Sequence, residues 1–364
     1  MKIALFHTTL PEPGRKPGGV EIAVHRLANE LARNPKDEVT VLSLTGAPAD
    51  AVYKHQQLFP EKEGLRTSQI KRLFVLPFML NFVDLKPFDV IHLHGDDWFL
   101  FNRGIASVRT LHGSALFEAR SATSVKRKAS QYLVYPLEHL AKTLATRPLA
   151  VGPETAEIYK IANLANNGVN LDLFSVGEKA PHPQILYIGT WEGRKRGGFM
   201  FEQFTKNVLP QCPDAELVMV CDREVDHPRV TNYHFPDDET LAGLYSRAWV
   251  FAYPSVYEGF GIPYIEAMAS GTAVLCSPND GANYVLEGGT YGMIVKDDIF
   301  ATQLVTLLTD DVQRQQLIEK GLARARTFSW QAVATQHRNM YAAAINMHNN
   351  GHASQPEAEK IYEF

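Results

Sequence analysis

Pro254-Ser255-Val256-Tyr257-Glu258-Gly259-Phe260-Gly261-Ile262-Pro263-Tyr264-Ile265-Glu266-Ala267-Met268-Ala269-Ser270-Gly271 reads as the turn from a strand into a helix. The apolar and aromatic run Trp249 to Tyr253 before it has strand character, and a loop with two glycines follows. Pro263 suits the first helical position and Gly271 the left-handed residue just past the helix end. The amides around Phe260, Gly261 and Ile262 open that helix, so they have no intrahelical partner and, with the dipole, make a seat for a phosphate. Glycine lets the backbone approach it.

Glu258 falls in the loop and Glu266 in the first turns of the helix, seven residues between them, so both carboxylates can face one ligand. Carboxylates beside a phosphate seat are best used on neutral hydroxyl groups, which sugars and ribose supply. Taken singly, Glu266 complements a helix N-terminus and Glu258 is a solvated loop residue. Taken together, Pro-Ser-x-x-Glu-Gly-Phe-Gly-x-Pro, the seven-residue spacing and Glu-Ala-Met-Ala-x-Gly resemble the retaining nucleotide-sugar glycosyltransferases of family 4, of the bacterial cell-surface glycan type. The resemblance implies that Glu258 holds the hydroxyls of the donor sugar and Glu266 the ribose.

Upstream, Gln184 to Gly189 reads as a strand, and the loop after it carries Arg194-Lys195-Arg196-Gly197-Gly198. Three cations beside glycines suit a diphosphate: arginine offers a bidentate fork, lysine a point charge. The family pattern places an Arg where Thr190 stands and a Lys where Arg196 stands, so Arg196 is the expected phosphate contact, with Arg194 and Lys195 as substitutes for the missing one. Phe235 lies in the segment where the family cups the nucleobase, and Tyr284 replaces a family Glu in Pro278 to Tyr284, which makes that segment structural here.

The N-terminal half repeats the alternation of strand and helix. Ile3 to Phe6 reads as a buried strand, Gly18-Gly19 opens a helix, and Val20, Val24, Leu27 and Leu31 mark its apolar face. A Gly-Gly pair alone is a plain turn; the family uses one near the donor phosphates, which the resemblance carries to Gly18 and Gly19. Asp89 to Gly95 and Ala106 to Gly113 are both strands ending in His-Gly, and in a parallel sheet such a histidine points at the ligand side. The resemblance favours His112 as the histidine near the donor sugar; His92 and His94 read as structural or supporting. Ala47 to Lys86 has no clear pattern. Asn167-Gly168-Val169-Asn170 and Phe328-Ser329-Trp330 resemble the family's hinge and the motif before its last helix.

The length of 364 residues favours two domains. With 21% charged residues and a net charge of -4, a nucleic-acid surface is not expected. Three cysteines without Cys-x-x-Cys spacing, Cys212, Cys221 and Cys276, read as reduced core residues. No apolar run is long enough for a membrane span, so the expected location is cytoplasmic. Arg120, Lys126, Arg127 and Lys128, with Phe117, Tyr132 and Tyr135, read either as a solvated helix face or as a peripheral contact with the inner face of the membrane.

These readings predict an α/β protein of GT-B architecture: two doubly wound, Rossmann-like parallel sheets facing across a cleft. The acceptor-side domain is expected at residues 1–165, completed by a helix at about 335–364, and the donor domain at 181–334. The expected activity is metal-independent, cofactor-free and retaining hexosyl transfer from a UDP-sugar, UDP-glucose or a relative, to a glycan or lipid-linked acceptor. The catalytic candidates are His112, Glu258 and Arg196. Two rivals stand beside this activity: a nucleotide-sugar 2-epimerase of the same architecture, which turns over donor with no acceptor, and a non-catalytic sugar-nucleotide-binding regulator, against which the joint presence of Glu258, Glu266 and Arg196 counts.

Overall fold

The computed structural model describes residues 1–350 except 16, 63, 102, 103, 122 and 123. Among these, the chain forms two compact units, Met1–Asn166 joined by the chain from Val333, and Asn167–Ala332. The segment 167–180, read above as part of the boundary, belongs to the second unit.

The first unit contains strands β1 (Lys2–Phe6), β2 (Glu38–Ser43), β3 (Lys54–Gln57), β4 (Val90–Leu93), β5 (Ala106–Leu111) and β6 (Arg147–Ala150) in the order β3-β2-β1-β4-β5-β6. The second contains β7 (Gln184–Ile188), β8 (Glu216–Val220), β9 (Val230–Tyr233), β10 (Val250–Tyr253), β11 (Ala273–Cys276) and β12 (Met293–Ile294) in the order β12-β11-β10-β7-β8-β9. Read from the opposite edge, the second order is the first shifted by six. Every pairing is parallel, as strand-helix alternation requires.

Parallel strands covered on both faces must be apolar on both. In the second unit Leu186, Val218, Phe251 and Val274 pack into one core, while their neighbours Ile185, Leu217, Val250 and Leu275 pack into another. The crossing order puts a change of direction between β1 and β4 in the first sheet and between β7 and β10 in the second. Beyond the carboxyl ends at such a point the flanking loops diverge and leave room for a ligand.

The unpatterned stretch 47–86 holds the edge strand β3, short helical turns and a π-helical turn at Lys71–Val75. β3 is Lys-His-Gln-Gln, mostly exposed, and owes its conformation to pairing with β2. The C-terminal helix spans Trp330–Asn349, beginning before the expected 335; residues 351–364, including Lys360-Ile361-Tyr362, lie outside the described residues. No described helix is long and apolar enough to cross a membrane.

The two hinge-like motifs meet. Val169 donates its amide to the Phe328 carbonyl at 2.8 Å, and a Cβ on Gly168 would lie 2.3 Å from the Trp330 ring. Gly168→Ala is therefore expected to cost about 1–3 kcal/mol, the range for overpacking a filled site. Urea denaturation checks this; an unchanged midpoint would mean that the indole moves aside freely.

Candidate active site

In the second unit Arg194, Lys195, Arg196 and Glu258 sit on the loops leaving β7 and β10, at the change of direction, Glu266 lies in the helix after the β10 loop, and Phe235 follows the edge strand β9. Glu258 is buried, 6% exposed, which a carboxylate tolerates only with partners. Its Oε1 accepts from Arg194 Nη1 at 2.8 Å, Lys195 Nζ at 2.6 Å and Ser255 Oγ at 2.5 Å. Arg194 also donates to the Tyr257 carbonyl, and Lys195 to the Tyr253 hydroxyl. Burial lowers the Lys195 ammonium to about 8, with Glu258 pulling the other way. Two cations sharing one carboxylate leave positive charge over, at a place where an anion can use it.

The adjoining helix is Ile262–Ala269, one residue longer at its start than Pro263 predicts, and Gly271 is left-handed as expected, φ 65°. Gly261 is the residue before the helix, with φ 94° and no side-chain cap; a Cβ there would lie 2.3 Å from the Tyr264 ring. The amides of Phe260, Gly261 and Ile262 donate to no group among the described residues. The side chain of Phe260, by contrast, is core, packed edge-on against Phe328.

Asn279, which sequence reasoning passed over, locks this loop. Its Nδ2 donates to the Ser255 carbonyl and the Tyr264 hydroxyl, each at 2.9 Å, while its Oδ1 caps the helix Asp280–Val285 through the Ala282 amide. The signal available was its place as an Asx residue before that helix. Gly281 lets the helix close on the loop, since a Cβ would stand 2.6 Å from the Glu258 carbonyl oxygen.

Glu266 accepts from the Tyr245 hydroxyl at 3.0 Å, and burial raises its carboxyl to about 7. Arg196, expected to be the leading cation, is not brought to Glu258: its guanidinium makes a bidentate pair with Asp297 at 3.0 and 2.6 Å and lies over the Phe199 ring. The cations at the carboxylate are its neighbours, because Arg196 itself adopts a left-handed φ of 62° that turns it away. Phe235 is exposed, also with positive φ. Of the adjacent aspartates at 96–97 and 237–238, Asp237 caps the helix Asp238–Arg247, Asp96 accepts from Thr8 at 2.7 Å, and Asp97 pairs with buried Arg109.

In the first unit, Gly18 is the N-cap and Gly19 the first residue of the helix Gly19–Ala32. A Cβ on Gly19 would meet nothing within 4 Å, and one on Gly18 only the Glu21 carboxylate group at 3.8 Å, so the packing of the chain does not demand glycine at either. Glu21, unnoticed in the sequence, accepts there from Thr9 at 2.7 Å and from Arg15 at 2.6 Å. His112 follows β5 and shares a hydrogen bond with His94, which follows β4: His94 Nδ1 and His112 Nε2 are 2.8 Å apart. The His94 ring lies against His92 at a 44° tilt, centroids 3.9 Å apart, and His92 is held by Thr110 and by Tyr341 of the C-terminal helix, each at 2.7 Å.

Burial lowers every one of these imidazoles. His92 and His94 fall well below the usual value, His112 to about 3 and His337 to about 4, and His7 is lowered too. Neighbouring imidazoles add to the burial at His92, His94 and His112, where a second positive charge would meet the first. The unfolded chain binds protons near 6.5 while the folded chain does so only at lower pH, so stability is whole above 6.5 and declines as pH falls below it. Each imidazole contributes a loss of about 1.4 kcal/mol per pH unit once well below that point. Urea midpoints should accordingly fall between pH 7.5 and 5.5, with the Glu266 carboxyl, raised to about 7, taking up a proton in the folded state and offsetting roughly one imidazole, and fall less in His337→Gln; a flat profile would contradict the neutral network.

Known proteins share the fold. Residues 17–173 match Glycosyltransferase Family 4, and residues 182–310 match Glycosyl transferases group 1. The D-inositol 3-phosphate glycosyltransferase of Corynebacterium aurimucosum is 35% identical, over 95% of this chain and 97% of the relative. The phosphatidyl-myo-inositol mannosyltransferase of Mycobacterium tuberculosis is 26% identical over 70% and 73%. Among solved structures, sucrose-phosphate synthase from Thermosynechococcus elongatus has a TM-score of 0.73 at 22% identity, covering 95% of this chain and 99% of that one. The lipopolysaccharide glycosyltransferase WaaG has a TM-score of 0.63 at 16% identity, covering 93% and 99%. The two Rossmann-like sheets are those of the GT-B fold, and the chain belongs to glycosyltransferase family 4.

Proposed function

We propose that this glycosyltransferase moves a hexose from a UDP-sugar, UDP-glucose or a relative, to a glycan or lipid-linked acceptor, with retention and without a metal ion or cofactor. The observation that carries this reading is the Glu258 cluster: a buried carboxylate under two cations, beside the unpartnered amides of Phe260, Gly261 and Ile262. A leaving diphosphate develops negative charge, and preformed amides with Arg194 and Lys195 stabilise it without reorganisation. Arg196 joins them only by exchanging Asp297 for phosphate. Glu258 accepts from the hydroxyls of the sugar and Glu266 from those of the ribose, with Phe235 near the base.

In the first unit, Gly18 and Gly19 are glycines the protein's own packing does not need, which supports a ligand close to that backbone. His112 orients the sugar and stabilises its oxocarbenium-like centre. Leaving group and nucleophile share one face, so no enzymic nucleophile is assigned. The 2-epimerase and the silent regulator differ from this reading by product: turnover without acceptor, or none at all.

A membrane-facing acceptor has specific support. Ile70, Phe78 and Phe82 are exposed beside Lys71, and Gln69 ties this segment to Ser130 on the helix Val125–Leu144, whose Lys126, Arg127 and Lys128 are exposed. Apolar side chains among cations suit an anionic bilayer surface. Co-flotation with anionic liposomes is expected; its absence would return this face to water.

Calorimetric titration with UDP, GDP and ADP, without added metal, tests the donor class. UDP is expected to bind in the micromolar range and Glu266→Ala to lose it; if none of the three binds, the reading falls. Because relatives are named for mannosyl transfer and for inositol phosphate, GDP-mannose and myo-inositol phosphate belong in the turnover screen beside UDP-glucose.

Glu266 gives the binding a pH dependence. Ribose hydroxyls donate to the ionised carboxylate, which predominates only above about 7 in the free protein. Affinity for UDP-glucose is therefore expected to rise by up to about tenfold from pH 6 to 8, one proton being linked to binding, and to show no such rise in Glu266→Gln, where the Lys195 ammonium, lowered to about 8, can only weaken binding toward pH 8. A slope retained in that variant would assign the proton elsewhere.

A further inference from the structure

The pairing of His112 with His94 leaves one proton between two nitrogens, and the surroundings decide which carries it. His94 is 6% exposed, and its Nε2 is buried without a partner among the described residues. With the proton on Nε2, His94 would bury an N–H that meets no acceptor; with the proton on Nδ1 it buries only a lone pair. Orphaned buried donors are rarer in proteins than orphaned acceptors. His94 then donates Nδ1–H to His112 Nε2, and the proton of His112 is forced onto its Nδ1. That nitrogen makes no hydrogen bond among the described residues, and His112 is only half-buried.

We infer that His94 is a positioning residue for His112, holding it as the neutral tautomer that presents Nδ1–H to the ligand. The ring of His94 is itself braced. It lies tilted at 44° against His92, ring centroids 3.9 Å apart, and His92 is itself fixed because its two nitrogens are engaged by Thr110 and Tyr341 at 2.7 Å. The chemistry gains twice. A sugar oxygen finds a donor already aimed, and the cationic centre that develops at the anomeric carbon meets a neutral ring instead of an imidazolium.

The role in catalysis rests on the proposed function, in which His112 acts on the sugar; the tautomer does not. Ring-nitrogen spectra of 15N-labelled protein, assigned through His112→Ala, are expected to show His112 protonated at Nδ1 and bare at Nε2, and to show a tautomer mixture in His94→Leu. A proton on Nε2 in the parent protein overturns the inference. In turnover of UDP-glucose or GDP-mannose, whichever the enzyme accepts, His94→Leu should lower kcat by about ten- to a hundredfold, as losing one buried hydrogen-bond partner does, with donor KM little changed. His94→Asn, whose amide nitrogen falls where Nδ1 lies, should restore most of kcat. Equal activities in both variants and the parent would overturn the positioning role. Full activity in His112→Ala would instead remove His112 from the mechanism and leave the tautomer result standing.

Discussion

A carboxylate carried inside a protein must be met by donors or lose its charge, and Glu258 is met by three. Arg194 and Lys195 come from the loop after β7, and Ser255 from the loop after β10. Taking the carboxylate out of water costs several kcal/mol, so the partners are obligatory, and removing one would strand the rest. The electrostatic demand of one side chain thus ties two loops into one body, and Asn279 fastens a third segment to them. The same demand explains the surplus of positive charge, because geometry brings two cations to satisfy one acceptor.

The first unit solves the opposite problem. Its histidines stand where charge is not tolerated, packed ring on ring with Thr110 and Tyr341 as polar partners. Among the described residues His337 hydrogen-bonds to no charged group; its Nδ1 meets the Val333 carbonyl within its own helix. Neutral imidazoles in contact are a fragile arrangement in acid and a useful one near neutrality, since a ring without charge can lie beside a developing cation.

Much of the fold was legible because both signals are local. Ile3 to Phe6 is a continuous apolar run of strand length, and it became a strand buried on both faces. Gly271 and Gly261 both have positive φ, which no side chain favours. The edge strand Lys54–Gln57 was invisible because nothing in Lys-His-Gln-Gln distinguishes it from a loop; pairing with Thr40 to Ser43 makes it a strand. The partner of Arg196 was equally hidden. Asp297 lies a hundred residues on, and sequence gives charge but not the left-handed turn that aims it.

What the sequence by itself determined is the set of chemical groups and the strand ends on which they lie: Glu258 and Gly261 after β10, the cations after β7, His94 and His112 after β4 and β5. Periodicity and glycine placement act over a few residues, so they survive in a one-dimensional reading. Only the tertiary structure decided which cation meets Glu258, that Glu266 bonds Tyr245, and that His112 meets His94 above a ring held by Tyr341. Those choices depend on burial and on distances between segments as far apart as His92 and Tyr341, and both come into being only when the chain has closed on itself.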